Sequence, residues 1–422
     1  MIENYFEQNP ELKVLSDKLF QARESGELLL QSGDVGWASA PSNIALLKYW
    51  GKRNGKLQIP ENSNLSLTLT SFRAYTQASV LGRFVPLSQG RIVHSHERPK
   101  FTFELNKKAQ TMPAKMEIFA RALLHGYADD ISLSVRSLNN FPTACGVASS
   151  AAGYAALVGA VADLLNLKRF FSDEEIQFWI SEWSRLGSGS ATRSAIIKDD
   201  SRESQFVSWE QNSLQMNSTT SALKVHSKFR RMEHCLLVLD SDEKSVESSQ
   251  GHVLAQTSLF QNIRLAQYPQ RFSRFCKALA EGDFELMQDL SEWDALEMHA
   301  VMATSAQTVQ YISQMTSQAI SKFVSLRNKK SAKMLWTLDA GANPHFVFLP
   351  ESLSFMAEYF CELANDPLFT EAKVIFGDTL GPGLLMGVES SARETLLDSN
   401  VISLNQLSLL EAADLFRKRG TL

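Results

Sequence analysis

Residues 141–153 read Phe141-Pro142-Thr143-Ala144-Cys145-Gly146-Val147-Ala148-Ser149-Ser150-Ala151-Ala152-Gly153, and an Ala-rich apolar run continues to residue 165. Pro142 restricts the backbone that leads in, and Gly146 permits a tight or left-handed turn. Ser149 or Ser150 can cap and open a helix. The first N–H groups of a helix are unpaired and lie at the positive end of its dipole. The stretch therefore predicts an anion cradle suited to phosphates, although a Gly/Ser loop ahead of a core helix fits the residues equally well.

The composition describes a sizeable protein without a strongly charged surface. The chain has 422 residues, the length of two domains or one large two-lobed unit, and 44% of them are hydrophobic. Its net charge of −4 disfavours nucleic acid or acidic membranes as partners. The 4 cysteines stand far apart, which predicts reduced thiols. A polar N-terminus and the lack of a long apolar run predict a soluble, cytoplasmic protein.

Residues 1–36 precede the first motif and are interpreted as an N-terminal helical extension. Leu12, Leu15, Leu19 and Phe20 recur at roughly helical spacing among charged residues. Such an amphipathic helix packs on the body of the protein or pairs with another chain. The residues alone leave both arrangements open.

A second motif reads Asn43-Ile44-Ala45-Leu46-Leu47-Lys48-Tyr49-Trp50-Gly51-Lys52, after a predicted short strand and a turn at Pro41. Lys48, Tyr49 and Lys52 supply hydrogen-bond donors at a turn, where a polyanion could bind. The alternative is a pair of surface lysines beside core aromatic residues.

A third motif, Gly187-Ser188-Gly189-Ser190-Ala191-Thr192-Arg193-Ser194, follows a helix that Ser172 is predicted to cap. The two glycines expose backbone amides, the serines Ser188 and Ser190 supply hydroxyls, and Arg193 supplies a planar cation. The set suits a carboxylate or a phosphate. A flexible turn without a ligand is the alternative.

A fourth motif, Trp336-Thr337-Leu338-Asp339-Ala340-Gly341-Ala342-Asn343, is a strand that runs into a tight turn. A carboxylate such as Asp339 at a strand end is a common place for a catalytic acid or base. An aspartate that only stabilises its own turn is the alternative. Ser248 lies in a further segment, Lys244 to His252, that is predicted to start a helix.

These motifs together resemble those of one protein family. Pro142 to Ala151 resembles the phosphate-binding motif P-x-x-x-G-L/V-x-S-S-A of the GHMP kinase superfamily. Asn43 to Lys52 is similar to N-I-A-x-x-K-Y-W-G-K of its mevalonate diphosphate decarboxylase branch, and Gly187 to Ser194 resembles that branch's G-S-G-S-A/S-x-R-S. Asp339 lies in a D-A-G segment similar to the branch's D-A-G-P-N. The resemblance runs from about Trp37 to Gly383.

The sequence departs from the family pattern at several places. Glu247 stands where relatives have a serine, His252 where they have a methionine, and Ala342 where they have a proline. Residues 195–205 lack the aromatic residue and two glycines that relatives carry before the strand that ends at Trp209. These changes affect the expected wall of the substrate pocket.

The resemblance implies an α+β, two-lobed GHMP kinase fold, with antiparallel or mixed sheets and helices around a central cleft. We expect an N-terminal lobe over residues 37–225, with the ATP phosphate loop, and a C-terminal lobe over residues 226–422. The implied reaction is ATP-dependent decarboxylation of mevalonate 5-diphosphate to isopentenyl diphosphate, with release of ADP, phosphate and CO2. The implied partners are ATP, Mg²⁺ and the phosphorylated mevalonate, and a homodimer is an allowed assembly.

The family's residue roles carry over to matching positions. Asp339 is expected to act on the substrate hydroxyl, Lys52 to fix Asp339 and offset phosphoryl charge, and Arg193 to hold the substrate carboxylate. The expected substrate-binding residues are Asn43, Lys48, Tyr49, Ser188, Ser190 and Ser248. The expected ATP-binding residues are Pro142, Gly146, Ser149 and Ser150, with Ser150 also beside Mg²⁺.

Other functions remain open on the sequence alone. The substitution at Glu247 is compatible with a phosphomevalonate decarboxylase or a mevalonate 3-kinase. A non-catalytic small-molecule-binding protein on the same fold is the alternative of another class. The joint presence of Lys52, Arg193 and Asp339 argues against that last alternative.

Overall fold

A computed structural model describes residues 6, 7, 9–83, 99–141, 147–198, 202–212, 218–240, 248–387 and 406–420. The longer helices in these ranges are α1 (Pro10–Glu24), α2 (Ala114–Leu123), α3 (Ser149–Leu164), α4 (Asp173–Gly187), α5 (Ser248–Leu254), α6 (Leu259–Glu281), α7 (Phe284–Ala303), α8 (Gln314–Lys330), α9 (Leu353–Ala364) and α10 (Leu409–Arg419). The strands are β1 (Val35–Leu47), β2 (Lys52–Asn54), β3 (Ile59–Pro60), β4 (Asn64–Arg83), β5 (Phe101–Leu105), β6 (Lys108–Gln110), β7 (Ile131–Asn139), β8 (Phe206–Gln211), β9 (Ser218–Ala222), β10 (Glu233–Val238), β11 (Met334–Thr337), β12 (His345–Phe348), β13 (Lys373–Gly377), β14 (Leu385–Met386) and β15 (Gln406–Ser408). This mixture agrees with the predicted α+β class.

The first sheet has eight strands in the described part of the chain, in the order β14-β1-β4-β7-β5-β6, with β8 and β9 continuing from β4. Strands β5 and β7 are parallel, and the other neighbouring strands described in this sheet are antiparallel. The sheet is therefore mixed, as predicted. A second sheet has the order β11-β12-β10-β13-β15, and β2 with β3 forms a small hairpin.

Strand β1 corrects one expectation from the sequence. A turn at Pro41 was expected, but a single strand of 13 residues runs through this position, nearly all of it buried. The register between β1 and β4 shifts between Pro41 and Ser42. Proline has no N–H to donate, and such an irregularity lets it sit inside a sheet. The strand thus continues to Leu47 and delivers Lys48 to the centre of the molecule.

Helix α3 packs along this sheet, and its composition explains why. Ala, Val and Leu occupy almost every position, so the helix is buried nearly all round. Small side chains allow close approach to β1, where a Cβ on Gly36 would lie 2.1 Å from the carbonyl oxygen of Ala160. The sheet and helix together present the start of α3, at Ser149, to the centre of the molecule.

Helix α4 begins where the sequence predicted. Ser172 accepts a hydrogen bond from the Glu175 N–H, and the Glu175 carboxylate accepts one from the Ser172 N–H. This reciprocal cap satisfies two otherwise unpaired helix-start donors. The helix ends at Gly187 and is followed by a short 3-10 turn over Gly189–Ser194, which carries Arg193.

The N-terminal extension packs on the body, which was one of the two arrangements that its sequence allowed. Leu12, Leu15 and Leu19 of α1 are buried. The Asn9 amide donates to the Glu182 carboxylate of α4, and Lys18 Nζ lies 2.5 Å from Glu175 Oε1. The extension is therefore joined to α4 by apolar contact and by polar bonds.

Helix α7 ends at Ala303, and α8 begins at Gln314. Ser313 caps α8 by accepting a hydrogen bond from the Thr316 N–H. The strand predicted to end at Trp209 is present as β8. Among the described residues, no helix is both long and apolar enough to cross a membrane.

The two sheets are joined through the segment that follows β13. The Thr70 N–H donates to the Asp378 carbonyl oxygen at 2.8 Å, and the Thr70 hydroxyl donates to that of Leu380. The buried Arg73 guanidinium donates to the carbonyl oxygens of Pro382 and Gly383 at 2.9 and 2.7 Å. Strand β14 then pairs with β1, with Ser39 opposite Leu385. A late segment of the chain thus completes the first sheet.

Candidate active site

The centre of the candidate site is a buried ion pair between residues from both halves of the chain. Lys48, just past the end of β1, is 1% exposed, and its Nζ lies 2.6 Å from Asp339 Oδ1. The same amine donates to the carbonyl oxygen of Ala45 at 2.7 Å. Burial lowers the pKa of Lys48, and the negative charge of Asp339 partly offsets this. The sequence predicted that Lys52 would fix Asp339, but Lys48 makes this ion pair.

A network that the sequence analysis missed holds the main chain of Lys48. The Lys48 N–H donates to Asp294 Oδ2 at 2.5 Å, and its carbonyl oxygen accepts from Arg264 Nη2 at 3.0 Å and Asn62 Nδ2 at 2.9 Å. Tyr268 Oη lies 3.2 Å from the same carbonyl oxygen. These partners come from β3–β4, α6 and α7. No local pattern marked Arg264 or Tyr268, because their importance depends on contacts more than 200 residues away in the chain.

Arg193 is buried beside this pair and is held by two asparagines. Its Nε and Nη2 donate to Asn43 Oδ1 at 3.2 Å each, and its Nη1 donates to Asn64 Oδ1. Burial lowers the pKa of Arg193 to about 10, while the charge of Asp339 acts in the opposite direction. The amide nitrogen of Asn43 donates to Ser194 Oγ at 2.8 Å. Asn43 therefore orients the guanidinium, and its expected contact with the substrate stays a prediction.

The position of the Tyr49 side chain explains why the third motif has a glycine at residue 189. A Cβ on Gly189 would lie 2.6 Å from Tyr49 Oη, so only glycine fits there. The Tyr49 hydroxyl is buried and has no hydrogen-bond partner within the described ranges. A buried hydroxyl without a partner is costly, which favours a ligand that binds to it.

The start of α3 meets the third motif. Ser150 Oγ lies 3.3 Å from Ser188 Oγ, and Ser150 is exposed. The sequence predicted a serine cap, but the capping position is Ala148, with φ 40° and no side-chain hydrogen bond. The hydroxyls of Ser149 and Ser150 are therefore not used as the cap of the helix. The expected residues Pro142 and Gly146 lie outside the described residues.

Lys52 and Lys115 lie close enough together for their charges to interact, and Lys115 lies beside Tyr154 of α3. Burial lowers the pKa of Lys52 to about 8, and the neighbouring charge of Lys115 contributes to the shift. Lys115 is exposed on α2, with its Nζ 5.8 Å from the centre of the Tyr154 ring. Two amines that destabilise each other's charge favour an anion between them. A single lysine at the start of α2 carried no sequence signal, so the sequence analysis missed Lys115.

A cavity of about 210 Å³ adjoins the helix start, between α2, α3 and strands β5 and β7. Ser149, Ser150 and Tyr154 form the wall on the α3 side. Apolar side chains line much of the remainder, including Phe103, Met116, Val135 and Leu157. Such walls suit a flat aromatic group placed next to a phosphate-binding helix start.

The remaining residues that the sequence singled out lie at the edge of this site or outside the described residues. Ser190 is half-buried in the 3-10 turn, and its carbonyl oxygen accepts from Asn43 Nδ2 at 3.5 Å. Ser248 begins α5, but its side chain, like the whole of Glu247, lies outside the described residues. His299 of α7 is buried against the main chain of Leu338 and Asp339.

Comparison with known proteins decides the family. Residues 40–222 match the model of the diphosphomevalonate decarboxylase-like N-terminal domain, and residues 235–378 match that of the mevalonate 5-diphosphate decarboxylase C-terminal domain. The chain belongs to the diphosphomevalonate decarboxylase family. The family match excludes residues 1–39, so the N-terminal extension lies outside both domain models.

Curated relatives in this family match most of the chain. A diphosphomevalonate decarboxylase of Candida albicans is 33% identical over 323 residues, which cover 72% of this chain and 82% of the relative. The enzyme of Saccharomyces cerevisiae is 32% identical over 340 residues, with 77% and 80% covered.

Solved structures of the family share the two-lobed GHMP kinase fold with this chain. The structure of MDDEF in complex with MVAPP, AMPPCP and magnesium is 27% identical, with a TM-score of 0.69 over 84% of this chain and 99% of the other. Mevalonate diphosphate decarboxylase from Staphylococcus aureus is 25% identical, with a TM-score of 0.70 over 84% and 98%. The predicted fold is confirmed.

Proposed function

We propose that this protein catalyses ATP-dependent decarboxylation of mevalonate 5-diphosphate, yielding isopentenyl diphosphate, ADP, phosphate and CO2. The observation that carries the proposal is the Lys48–Asp339 ion pair, at 2.6 Å, with Arg193 beside it. A carboxylate and a buried guanidinium at one point can act on a substrate that has both a hydroxyl and a carboxylate. Membership of the diphosphomevalonate decarboxylase family supports the same reaction.

Asp339 is proposed to receive or orient the proton of the substrate's tertiary hydroxyl, which makes that oxygen a better phosphoryl acceptor. Lys48 holds Asp339 in place and keeps its charge balanced. Arg193 is proposed to hold the substrate carboxylate through the N–H groups that Asn43 does not use. The phosphorylated oxygen then leaves as phosphate with the electrons of its C–O bond, while the electron pair of the broken C–CO2 bond forms the new C=C double bond.

The diphosphate end of the substrate is proposed to lie along the third motif and Tyr49. Ser188 and Ser190 supply hydroxyls there, and the buried Tyr49 hydroxyl supplies a donor without a protein partner among the described residues. Ser248 is proposed to contribute from the start of α5. These assignments rest on position and chemistry together.

ATP is proposed to bind at the start of α3, with its base in the adjoining cavity. Ser149 and Ser150 place hydroxyls at a helix N-terminus, and the amines of Lys52 and Lys115 are proposed to reach the phosphates from beside it. Pro142 and Gly146 remain proposed members of this site. Bound Mg²⁺ would offset phosphate charge, with Ser150 as its proposed protein neighbour. Among the described residues, no cluster of three or more His, Cys, Asp and Glu competes for that ion.

The decisive experiment measures ADP and CO2 release in parallel with mevalonate, its 5-phosphate and its 5-diphosphate. The proposal expects equal amounts of ADP and CO2 with the 5-diphosphate, and far less of both with the others. ADP without CO2 from mevalonate would identify a 3-kinase, and preference for the 5-phosphate would identify a phosphomevalonate decarboxylase. Binding without any turnover would identify a non-catalytic protein.

Other expectations from the sequence stay proposals. The division into lobes at residues 37–225 and 226–422 is supported by the spans of the two domain models, and the two sheets follow it except for β14, which belongs to the first sheet. A homodimer and a cytoplasmic location are also proposed. Light scattering of the purified protein and microscopy of a fluorescent fusion test these two proposals.

A further inference from the structure

His252 contacts three consecutive residues of the second motif. It lies in α5, is 6% exposed, and replaces the methionine that the family pattern has here. Its ring centre lies 4.2 Å from that of Tyr49 and 4.8 Å from that of Trp50. Its Nδ1 lies 3.0 Å from the backbone nitrogen of Gly51. A methionine at this position has no ring nitrogen that could accept a hydrogen bond from the Gly51 N–H.

The hydrogen bond fixes the protonation of the ring. A backbone N–H can only donate, so Nδ1 must lack a proton, and the neutral ring carries its proton on Nε2. Burial holds the pKa of His252 well below its usual range, and the nearby charges of Lys52, Arg264 and Arg193 lower it further. The ring therefore remains a neutral acceptor at neutral pH.

The residue that His252 holds is a constrained one. Gly51 has φ 94°, in the left-handed region that favours glycine. A Cβ at this position would lie 2.1 Å from the Glu61 carboxylate and 2.6 Å from the Gln261 amide. Lys52 follows directly and begins β2. The direction in which the chain leaves Gly51 therefore sets where the Lys52 amine goes.

We propose that His252 is a positioning residue for Lys52, acting through a neutral Nδ1 that holds the Gly51 N–H. The inference rests on the proposed role of Lys52 beside the phosphates of ATP. Helix α5 begins at Ser248, a proposed substrate-binding residue, so His252 also links that helix to the lysine. The substitution of methionine by histidine thus adds a polar connection that is specific to this chain's version of the site.

Two substitutions at this position separate the hydrogen bond from the ring. Both His252→Asn and His252→Met remove the aromatic contacts, but the asparagine Oδ1 occupies the place of Nδ1 and can still accept from Gly51. We expect His252→Met to lower kcat on the order of tenfold, as a misplaced catalytic group does, and to change KM for the 5-diphosphate little. His252→Asn should recover most of the lost kcat. His125→Met, on an exposed histidine outside the site, is the matched control.

Hydrogen exchange of the peptide that contains Gly51 gives a readout that does not need turnover. Exchange there should accelerate in His252→Met and stay close to the parent in His252→Asn. Equal kcat and equal exchange in the two variants would overturn the inference. An inactive parent with this exchange pattern would instead refute the proposed function and leave the Gly51 contact supported. If the methionine variant fails to fold, His252→Gln, whose acceptor is displaced by one bond, replaces it with the same expectation.

Discussion

The side chains of Lys48 and Asp339 depend on each other. Lys48 is 1% exposed and Asp339 is 23% exposed, so the amine is the more deeply buried member. A buried charge is tolerated when it is paired, and removal of one partner leaves the other unbalanced. A change at Asp339 should therefore affect both chemistry and stability.

Asp339→Asn is expected to lower kcat by about 10²–10⁴-fold, because the proton-accepting carboxylate is lost. KM for both substrates should change little. The variant should also lose up to about 3 kcal/mol of stability, because Lys48 loses its counter-charge. Steady-state kinetics and a melting curve measure the two effects. A kcat within a few-fold of the parent would refute the catalytic assignment.

The control for this prediction is Lys48→Met, which removes the buried cation but leaves Asp339. Its stability should fall less than that of Asp339→Asn, because the remaining carboxylate is partly exposed to water. If Lys48→Met kept the full kcat, Lys48 would not be needed to hold Asp339.

The lowered pKa of Lys52 leads us to expect a decline in activity at alkaline pH. Its pKa is lowered to about 8, so the amine is charged below that pH and neutral above it. Since the positive charge is needed for the ATP phosphates, kcat/KM for ATP should fall as pH rises through about 8. Lys52→Arg, which stays charged, should move the decline to higher pH. A pH profile of both proteins tests this, and coincident profiles would contradict it.

Features of the helices and strands that depend on neighbouring residues could be predicted from the sequence. Contacts between residues far apart in the chain could not. The start of α4 follows from Ser172 and Glu175, which are three residues apart. The site motifs were recognised for the same reason, since each is a continuous stretch. The choice of Lys48 over Lys52 as partner of Asp339 was not predictable, because it depends on the unbroken path of β1 and on the turn at Gly51.

Helix α6 supplies a test of the network around Lys48. Tyr268 Oη lies 3.2 Å from the Lys48 carbonyl oxygen and 3.1 Å from Asp294 Oδ2, so its one proton serves one of them at a time. Tyr268→Phe should cost about 1 kcal/mol of stability and lower kcat a few-fold, with KM nearly unchanged. Melting curves and kinetics test this. An unchanged kcat in Tyr268→Phe would limit the network to a structural role.

Helix α1 supplies a test of the N-terminal extension. Asn9 accepts from the Leu12 N–H as the helix cap, and its amide donates to buried Glu182. Glu182 in turn pairs with Arg185, which donates to the carbonyl oxygen of Leu57 beside the β2–β3 hairpin. Asn9→Ala should therefore cost about 1–2 kcal/mol.

Chemical denaturation of Asn9→Ala measures this loss. The control is Lys13→Ala, because Lys13 forms an exposed ion pair with Asp17 that contributes little. Equal stability of the two variants would show that the extension is only loosely joined to α4.

For the whole molecule, buried histidines predict sensitivity to acid. Burial holds the pKa values of His234 and His252 well below the usual range and lowers that of His299 to about 4. The unfolded chain takes up these protons near pH 6.5, before the folded protein can. The contribution of these histidines to stability is therefore full above about pH 6.5 and is lost as pH falls towards 4. The melting temperature should be lower at pH 5 than at pH 7.

His299→Asn provides the comparison for this prediction, because an amide does not titrate in this range. Its melting temperature should be less sensitive to pH than that of the parent. Equal melting temperatures of the parent at pH 5 and pH 7 would contradict the prediction.

The late closure of the first sheet has a consequence for biosynthesis. Lys48 leaves the ribosome 291 residues before Asp339, which is roughly 15–60 s at ordinary rates of translation. Strand β14, which covers the edge of β1, emerges later still. Throughout this interval the nascent chain exposes the unpaired edge of an apolar strand, which favours association with other chains. We therefore expect chaperones to bind the N-terminal half of the nascent chain until β14, the last strand of its sheet, has been translated.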